Sequence, residues 1–287
     1  MRNVLIEELI KEASINEKII LIVGDLGFSV VEPFAKEFPD RFINAGICEQ
    51  NMASLSAGMA SEGYKVFMYS IGNFPTFRCA EQIRNDICYH NLDVTTIIVG
   101  GGVSYGNLGY SHHAIQDYGL MRLFPEMTIL SPGDPLETKA CLEYSFKNSG
   151  PKYLRLRKSG ETNYTNGKIN FNGRWNKIIH SKNNKILLTT GYGLEIAFNL
   201  IKTNKFKNYG IYSCPIWGMN YSNLQSKFIE SFEEVITIED HLISGGFGSW
   251  LREGINDQLK IRNGFLDVSI IGQVSDEKTL LNNFTIK

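Results

Sequence analysis

One glutamate stands where a predicted strand gives way to a predicted helix. Glu49 follows the short apolar segment 42–46 and begins a helix rich in small side chains, namely Ala53, Ser54, Ser56, Ala57, Gly58, Ala60 and Ser61. Small side chains let another backbone approach closely, and a carboxylate at such a seam needs a partner or a task. Either Glu49 is a first-turn acid favoured by the helix dipole, or it is a buried acid that holds or donates a proton.

A glycine-rich loop at 100–113 is the second feature with chemical potential. Its glycines permit close approach, but their spacing matches neither a P-loop nor a dinucleotide fingerprint. The loop ends in His112 and His113. Because adjacent residues of an extended chain point to opposite sides, these histidines are poor joint metal ligands. Each has a structural role, or one of them faces a site.

Further polar and aromatic side chains lie near the ends of other predicted strands. Asp25 and Ser29 follow the first strand, and Arg157 ends the segment 152–157. Arg157 is a solvated surface residue or an anion clamp for phosphate or carboxylate. Phe74 and Phe77 are core residues or an aromatic platform for a flat heterocycle.

Short apolar runs alternate with helical patterns along the chain, which predicts βαβ units and parallel sheets. The predicted strands cover 18–25, 42–46, 65–70, 94–100, 127–132, 152–157, 185–193, 209–217, 234–241 and 266–272. The predicted helices include 79–91, 133–146, 194–204 and 245–259. We expect an α/β fold of two doubly wound domains with mainly parallel sheets, covering 1–160 and 181–287, joined by a polar linker at 161–180. In such folds ligands gather at the carboxyl ends of strands, where the polar clusters fall.

The composition excludes several classes of function. The 287 residues carry a formal net charge of −1 and no basic stripe, which argues against a nucleic-acid partner. No apolar run approaches the ~18 residues of a membrane span, and the N-terminal segment lacks the features of a signal peptide. The five cysteines show no paired spacing, so we expect reduced thiols in a cytoplasmic protein.

Several segments, taken together, resemble a known family. The resemblance to the pyrimidine-binding domain of transketolases and the related 1-deoxyxylulose-5-phosphate synthases lies in NAGICEQNMASLSAGMASEGYKVF, NFPTFRCAEQIRNDI and SHHAIQDYGLMRLFPEMTILSPGDPLET. The segment VITIEDHLISGGFGSWL resembles the C-terminal domain of the same superfamily. The motifs keep the family's order and cover nearly all of the chain.

The resemblance implies a cofactor and the residues that hold it. Glu49 matches the glutamate that hydrogen-bonds N1′ of the aminopyrimidine of thiamine diphosphate and shares a proton with that ring, which promotes removal of the thiazolium C2 proton. Phe74 or Phe77 falls where the family stacks an aromatic ring on the pyrimidine, and Phe74 is favoured. Asp25 matches an acid near the thiazolium.

The same resemblance implies substrate contacts. His112 matches a histidine that faces substrate hydroxyls near the reacting carbon, so Glu49 and His112 are the expected catalytic residues. His113 occupies a position usually held by glutamine. Ser29 and Arg157 fall where the family holds the phosphate end of its sugar substrate.

Departures from the family pattern imply a partner. The GDG…N motif, which binds the diphosphate and a divalent metal, does not occur in the sequence. We therefore expect a separate N-terminal transketolase subunit that binds the diphosphate and Mg²⁺ or Ca²⁺, with no metal ligand in this chain. The expected assembly is α2β2, and the expected reaction transfers a two-carbon ketol unit between sugars. Leu108 replaces the acid that usually precedes the histidine loop, which opens the choice of substrate to a modified or nucleotide-linked sugar.

Three alternatives remain open from the sequence. The chain could be the β subunit of a 2-oxoacid dehydrogenase E1, which also carries a pyrimidine domain and a C-terminal domain on one polypeptide. It could act like a 1-deoxyxylulose-5-phosphate synthase. It could also be a regulatory subunit without catalytic activity, although the presence of both Glu49 and His112 argues against that.

Overall fold

The computed structural model describes residues 1–158, 160–167, 169, 175–255 and 261–287, without the side chains of 223–226. Thirteen strands in this part of the chain form two sheets, one of seven strands and one of six. The predicted α/β fold with two mainly parallel, doubly wound sheets is confirmed. Among the described helices, none is long and apolar enough to cross a bilayer.

The strands are short and mostly buried. They are β1 (Ile19–Val23), β2 (Phe42–Asn44), β3 (Lys65–Ile71), β4 (Val94–Val99), β5 (Thr128–Leu130), β6 (Lys152–Leu156), β7 (Asn176–Ile179), β8 (Lys185–Thr189), β9 (Gly210–Ser213), β10 (Ile216–Gly218), β11 (Glu234–Leu242), β12 (Ile261–Leu266) and β13 (Phe284–Ile286). The helices are α1 (Arg2–Ile15), α2 (Glu32–Glu37), α3 (Glu49–Ser61), α4 (Ala80–Gln82), α5 (Asp117–Met121), α6 (Pro135–Lys147), α7 (Gly193–Leu200), α8 (Ser222–Ile229), α9 (Phe247–Glu253) and α10 (Glu277–Leu280).

The first sheet has the order β10-β5-β6-β4-β3-β1-β2, and all its strands except β10 run parallel. Alternate residues of β1 enter two different apolar cores. Ile20 and Ile22 pack with Met52 of α3, whereas Leu21 packs with Leu9 of α1. Helices therefore cover both faces, which explains why β1 is apolar at every position.

The second sheet has the order β13-β12-β11-β8-β9-β7, with antiparallel pairing at both edges. One face packs on α7 through Leu194, and the other packs on α9 through Trp250. The core that contains Trp250 also contains side chains of the first sheet, so the two sheets share a continuous apolar interior.

Three predicted elements differ from the structure. The segment predicted as one strand at 209–217 forms two strands, because Pro215 interrupts it and β10 crosses to the first sheet. The strand predicted at 266–272 is wrong: β12 ends at Leu266, and residues 268–270 form a 3₁₀ turn. The predicted helix at 79–91 is only briefly α-helical, because α4 continues as a π-helical segment from Ile83 to Cys88.

The division into domains at 160 and 181 stays a prediction. β7 lies inside the expected linker and pairs with β9 of the second sheet, whereas β10 lies inside the expected second domain and pairs with β5 of the first.

Candidate functional site

The candidate site lies where the strand order of the first sheet reverses. The chain passes from β1 outward to β2 and then returns to β3 on the other side of β1. Ligands of open α/β sheets bind at the carboxyl ends of strands beside such a reversal. The carboxyl ends of these strands lead to Asp25, Glu49 and Phe74 respectively, so the topology explains why three predicted residues come from three neighbouring strand ends.

Asn44, which sequence reasoning missed, organises the turns around the first two strand ends. Its Oδ1 accepts hydrogen bonds from the backbone N–H groups of Asp25, at 3.1 Å, and Gly46, at 3.0 Å. Its amide donates to Asp25 Oδ1 at 2.9 Å. Asp25 has a left-handed backbone with φ of 53°, which these bonds stabilise.

Glu49 is buried in the first turn of α3, and its side chain is only 4% exposed. Arg78 Nη1 donates to both carboxylate oxygens, at 3.1 and 3.2 Å. The Arg78 side chain is 53% exposed, so the ion pair joins a buried carboxylate to a solvent-exposed guanidinium. Because the Arg78 side chain reaches Glu49 from solvent, it can move aside when a ligand takes its place at the buried carboxylate.

An aromatic wall stands beside this ion pair. The segment Phe74–Arg78 forms a π-helical turn after β3, and the Arg78 guanidinium lies 4.6 Å from the centre of the Phe74 ring. Phe74 is half-buried and Phe77 is exposed. Both border an open cavity of about 400 Å³, whose lining consists of Asn73, Phe74, Phe77, Arg78, Tyr110, Ser111 and Gln116.

His112 meets the same aromatic wall from the glycine-rich loop. Its ring centre lies 5.3 Å from that of Phe74 in an edge-to-face arrangement, and its Nδ1 lies 3.0 Å from Ser111 Oγ. Asn73 fixes the loop by donating to the carbonyl groups of Ser111 and His113, at 3.2 and 3.0 Å. Burial, together with the neighbouring His113, lowers the pKa of His112, so its imidazole is neutral near pH 7.

Arg78 contacts both Glu49 and Phe74, and Phe74 contacts His112, so the structure brings these three predicted residues together. Ser29, His113 and Arg157 have other partners. Ser29 is exposed, with φ of 62°, and its N–H donates to Glu32 Oε1. His113 is buried, and its Nε2 lies 3.3 Å from the Gly106 carbonyl oxygen.

Arg157 is also buried, and it forms ion pairs with Glu195 and Glu277. The substrate roles expected for Ser29, His113 and Arg157 stay predictions.

A buried polar network lies beneath the aromatic wall. The Tyr153 hydroxyl lies 2.8 Å from Thr76 Oγ1 and donates to Asp117 Oδ2 at 3.0 Å. Arg155 of β6 donates to Asp117 of α5 at 2.8 Å and to Asp240 of β11 at 2.7 Å. The network therefore links the turn that carries Phe74 to the second sheet. Sequence reasoning missed it, because nothing local pairs residues 76, 117, 155 and 240.

The side chains around the cavity suit an organic ligand better than a metal ion. Within the described ranges, no three His, Cys, Asp or Glu side chains converge closely enough to form a metal site. The residues around the cavity instead combine a buried carboxylate, a flat aromatic wall and a neutral imidazole. This combination suits a flat heteroaromatic ligand with a ring nitrogen that can share a proton.

The chain is similar in sequence to known proteins. Residues 1–161 match the family described as transketolase, pyrimidine binding domain. A Methanocaldococcus jannaschii protein named "Putative transketolase C-terminal section" is 32% identical over 91% of this chain and 85% of its own. One of the subunits of an apulose-4-phosphate transketolase from Actinobacillus succinogenes is 29% identical over 89% of this chain and 83% of its own.

A longer relative matches over part of its length. The 1-deoxy-D-xylulose-5-phosphate synthase of Clostridium kluyveri is 31% identical over 87% of this chain, which corresponds to 40% of that enzyme.

Solved structures agree with the sequence relatives. A structure described as a split gene transketolase, inactive beta4 tetramer, superimposes with a TM-score of 0.83 at 27% identity, covering 98% of this chain and 91% of its own. A Pichia stipitis transketolase in complex with sedoheptulose 7-phosphate shares the fold, with a TM-score of 0.80 at 18% identity over 98% of this chain and 43% of its own. The chain belongs to the transketolase family and corresponds to its C-terminal section, with the pyrimidine-binding domain at the N-terminal end.

Proposed function

We propose that the chain is the C-terminal subunit of a thiamine-diphosphate-dependent transketolase that transfers a two-carbon ketol unit between sugars. The observation that carries the proposal is the buried Glu49 carboxylate beside the Phe74 wall and the His112 imidazole. These are the residue types that a pyrimidine ring and a polar substrate need. Membership of the transketolase family supports the same conclusion.

The residues at the site fit the aminopyrimidine half of thiamine diphosphate. Glu49 offers carboxylate oxygens in a dry setting, where a hydrogen bond to a ring nitrogen is stronger than it is in water. Phe74 offers a ring against which a flat heterocycle can stack, with Phe77 at the outer edge of the same cavity. Asp25 lies at the adjacent strand end and would border the thiazolium half.

Each residue has a separate task in the proposed site. Thiamine diphosphate supplies the carbon nucleophile when it is bound. Glu49 holds a proton at the pyrimidine nitrogen, and Arg78 balances the carboxylate charge while the site is open. His112 is neutral near pH 7, so its ring can donate one hydrogen bond and accept another at substrate hydroxyl groups.

A second polypeptide would complete this site. The sequence has no GDG…N motif, and the proposed N-terminal transketolase subunit would hold the diphosphate and Mg²⁺ or Ca²⁺. The split-gene structure and the apulose-4-phosphate transketolase relative, each described as one part of a divided enzyme, support a two-chain arrangement, for which we propose α2β2.

Replacing Glu49 tests the proposal directly. Glu49→Gln keeps the shape but removes the exchangeable carboxyl proton, so turnover of the reconstituted enzyme should fall ~10²-fold or more. Exchange of the thiamine C2 proton with deuterium should slow in parallel. Glu143→Gln, on α6, is the control and should leave both rates unchanged. Near-normal C2 exchange in Glu49→Gln would refute the proposed role.

A second candidate is an activity like that of 1-deoxy-D-xylulose-5-phosphate synthase, which the Clostridium kluyveri relative favours. Assays of the reconstituted pair should separate the two. Ketose donors with aldose acceptors support transketolase, whereas consumption of a 2-oxoacid supports the synthase or, with an electron acceptor, a dehydrogenase E1. Thiamine diphosphate that fails to bind even with the partner present would indicate a regulatory subunit.

A further inference from the structure

The turn that carries the aromatic wall rests on one buried threonine. Thr76 is the central residue of the π-helical turn Phe74–Arg78, and its side chain is fully buried. Its Oγ1 donates to the Gly72 carbonyl oxygen at 2.7 Å and lies 2.8 Å from the Tyr153 hydroxyl of β6. A π-helical turn is a rare backbone conformation, so tertiary contacts of this kind have to stabilise it.

The hydrogen bonds beneath the turn run in one direction. The Tyr153 hydroxyl donates to Asp117 Oδ2 at 3.0 Å, and because a hydroxyl has only one hydrogen, Tyr153 accepts from Thr76. Burial raises the pKa of Tyr153 well above its usual value, so the hydroxyl keeps this hydrogen near pH 7. The Thr76 hydrogen is shared between Tyr153 and the carbonyl group of Gly72.

The acid that Tyr153 contacts is fixed without help from Tyr153. Asp117 Oδ2 also accepts from Arg155 Nε at 2.8 Å, and Arg155 is held in turn by Asp240 of β11. These three charged residues are at most 3% exposed. Loss of the Tyr153 hydroxyl alone therefore leaves the buried charges paired and breaks only the link to the Phe74 turn.

A second branch of the network leads to His112. Arg155 Nη2 donates to the carbonyl oxygen of Ala114, two residues after His112, at 2.7 Å. The glycine-rich loop permits this close approach, because a Cβ at Gly101 would lie 2.8 Å from the guanidinium carbon of Arg155. This branch does not pass through Tyr153, so the His112 loop keeps its support when the Tyr153 hydroxyl is removed.

We propose that Tyr153 is a positioning residue of the candidate site, which holds Phe74 where the pyrimidine half of the cofactor stacks. The inference rests on the proposed transketolase function. Tyr153 and Thr76 are buried and act through the backbone of the turn. The cofactor binds the fraction of chains whose turn is in place, so a looser turn lowers the apparent affinity. The sugar, which meets His112, is affected less.

The test measures thiamine diphosphate binding to the chain reconstituted with its N-terminal subunit. Tyr153→Phe should raise the cofactor Kd about fivefold, the change expected from the loss of one hydrogen bond. The KM of the ketose donor at saturating cofactor should stay within about twofold of the wild-type value. Thr76→Val should reproduce the rise in Kd, whereas Thr76→Ser, which keeps the hydroxyl, should restore the wild-type Kd.

Tyr144→Phe is the matched control. It removes a hydroxyl that bonds to the Tyr221 hydroxyl, but Tyr144 lies on α6 and does not line the cavity beside Phe74. The cofactor Kd should therefore be unchanged. Urea unfolding of each variant shows that the chain remains folded.

Backbone amide exchange of the full chain without cofactor measures the turn itself. Tyr153→Phe should speed exchange in the peptide that covers residues 72–78 about fivefold, because the free energy of local opening falls by one hydrogen bond. Tyr144→Phe should leave exchange in this peptide unchanged.

The outcomes separate this inference from the proposed function. A Kd that rises less than about twofold in Tyr153→Phe overturns the inference while transketolase activity stands, since it falls short of one hydrogen bond. So does a Thr76→Ser variant that binds as weakly as Thr76→Val, or an equal rise of the cofactor Kd and the sugar KM, which a general loss of structure would produce. If the reconstituted wild type binds no thiamine diphosphate, the proposed function fails instead, and amide exchange decides. Faster exchange of residues 72–78 in Tyr153→Phe then supports the positioning role, and unchanged exchange overturns it.

Discussion

Arg155 holds two buried acids at once, which makes its replacement the sharpest test of the buried network. Its side chain is 2% exposed, and it contacts Asp117 and Asp240, which are equally inaccessible. Its Nη2 also donates to the carbonyl oxygen of Ala114 at 2.7 Å, and the guanidinium lies 4.4 Å from the centre of the Tyr118 ring. Arg155→Gln removes the charge but keeps a polar side chain of intermediate length.

The expected cost follows from the carboxylates left behind. Removing one partner of a buried ion pair costs ~3–5 kcal/mol, and here a single change strands two acids, so we expect about 5 kcal/mol. That is a large share of the ~5–15 kcal/mol that stabilises a typical domain. Burial already raises the pKa of Asp240 even with Arg155 beside it. Without Arg155 the Asp240 carboxyl would take up a proton more readily as the pH falls, so the cost should be larger at pH 8 than at pH 6.

Urea unfolding of the full chain at both pH values measures this cost. Adding Asp240→Asn to Arg155→Gln should recover ~1–3 kcal/mol, because it removes one stranded charge. Arg262→Gln is the control: Arg262 pairs with Glu234 at 3.1 Å, but its side chain is 35% exposed, so it should cost at most about 1 kcal/mol. A loss below about 1 kcal/mol in Arg155→Gln, or no dependence on pH, would refute the reasoning.

Two buried titratable groups predict opposite pH responses. Burial lowers the pKa of His241 to about 4, so its contribution to stability is present above its unfolded pKa near 6.5 and is lost as the pH falls through 4. Urea unfolding of His241→Phe should therefore lack roughly 3 kcal/mol of the wild-type loss between pH 7 and 4. Burial and Asp134 raise the pKa of Glu137 to about 7, so its contribution is present below pH 4.5 and is lost as the pH rises through 7. Glu137→Gln should lack roughly 3 kcal/mol of the wild-type loss between pH 5 and 8, and parallel pH profiles in either variant would contradict these assignments.

Apolar runs predicted most of the strands, because each buried strand must be apolar on both faces. The strand at 261–266 was not predicted, because Asn263 and Gly264 are residue types typical of turns. Both are core positions in the structure. A Cβ at Gly264 would lie 2.6 Å from Phe284 Cζ, and the Asn263 side chain accepts a hydrogen bond from Thr237 of β11. Close packing between strands, which no local pattern encodes, decided this element.

The site could be predicted only as far as its residues follow strand ends. Glu49, Phe74 and His112 do so, and they lie in one contact chain. Arg78 had a local signal, because it lies one turn after Phe74 and on the same wall. The ion pairs of Arg157 had no local signal in the sequence, since its two acidic partners lie 38 and 120 residues further along the chain. Whether an arginine is available to a ligand depends on tertiary partners.

The strand β10 has a consequence for dissecting the molecule. Three residues from the second half, Ile216–Gly218, form an edge strand of a sheet whose other strands all precede residue 157. A fragment that ends at residue 161, where the pyrimidine-domain match ends, would lack β10 and leave the backbone N–H and C=O groups on the outer edge of β5 unpaired. Such an unpaired flank recruits other chains. We therefore expect fragments that separate the two halves to aggregate.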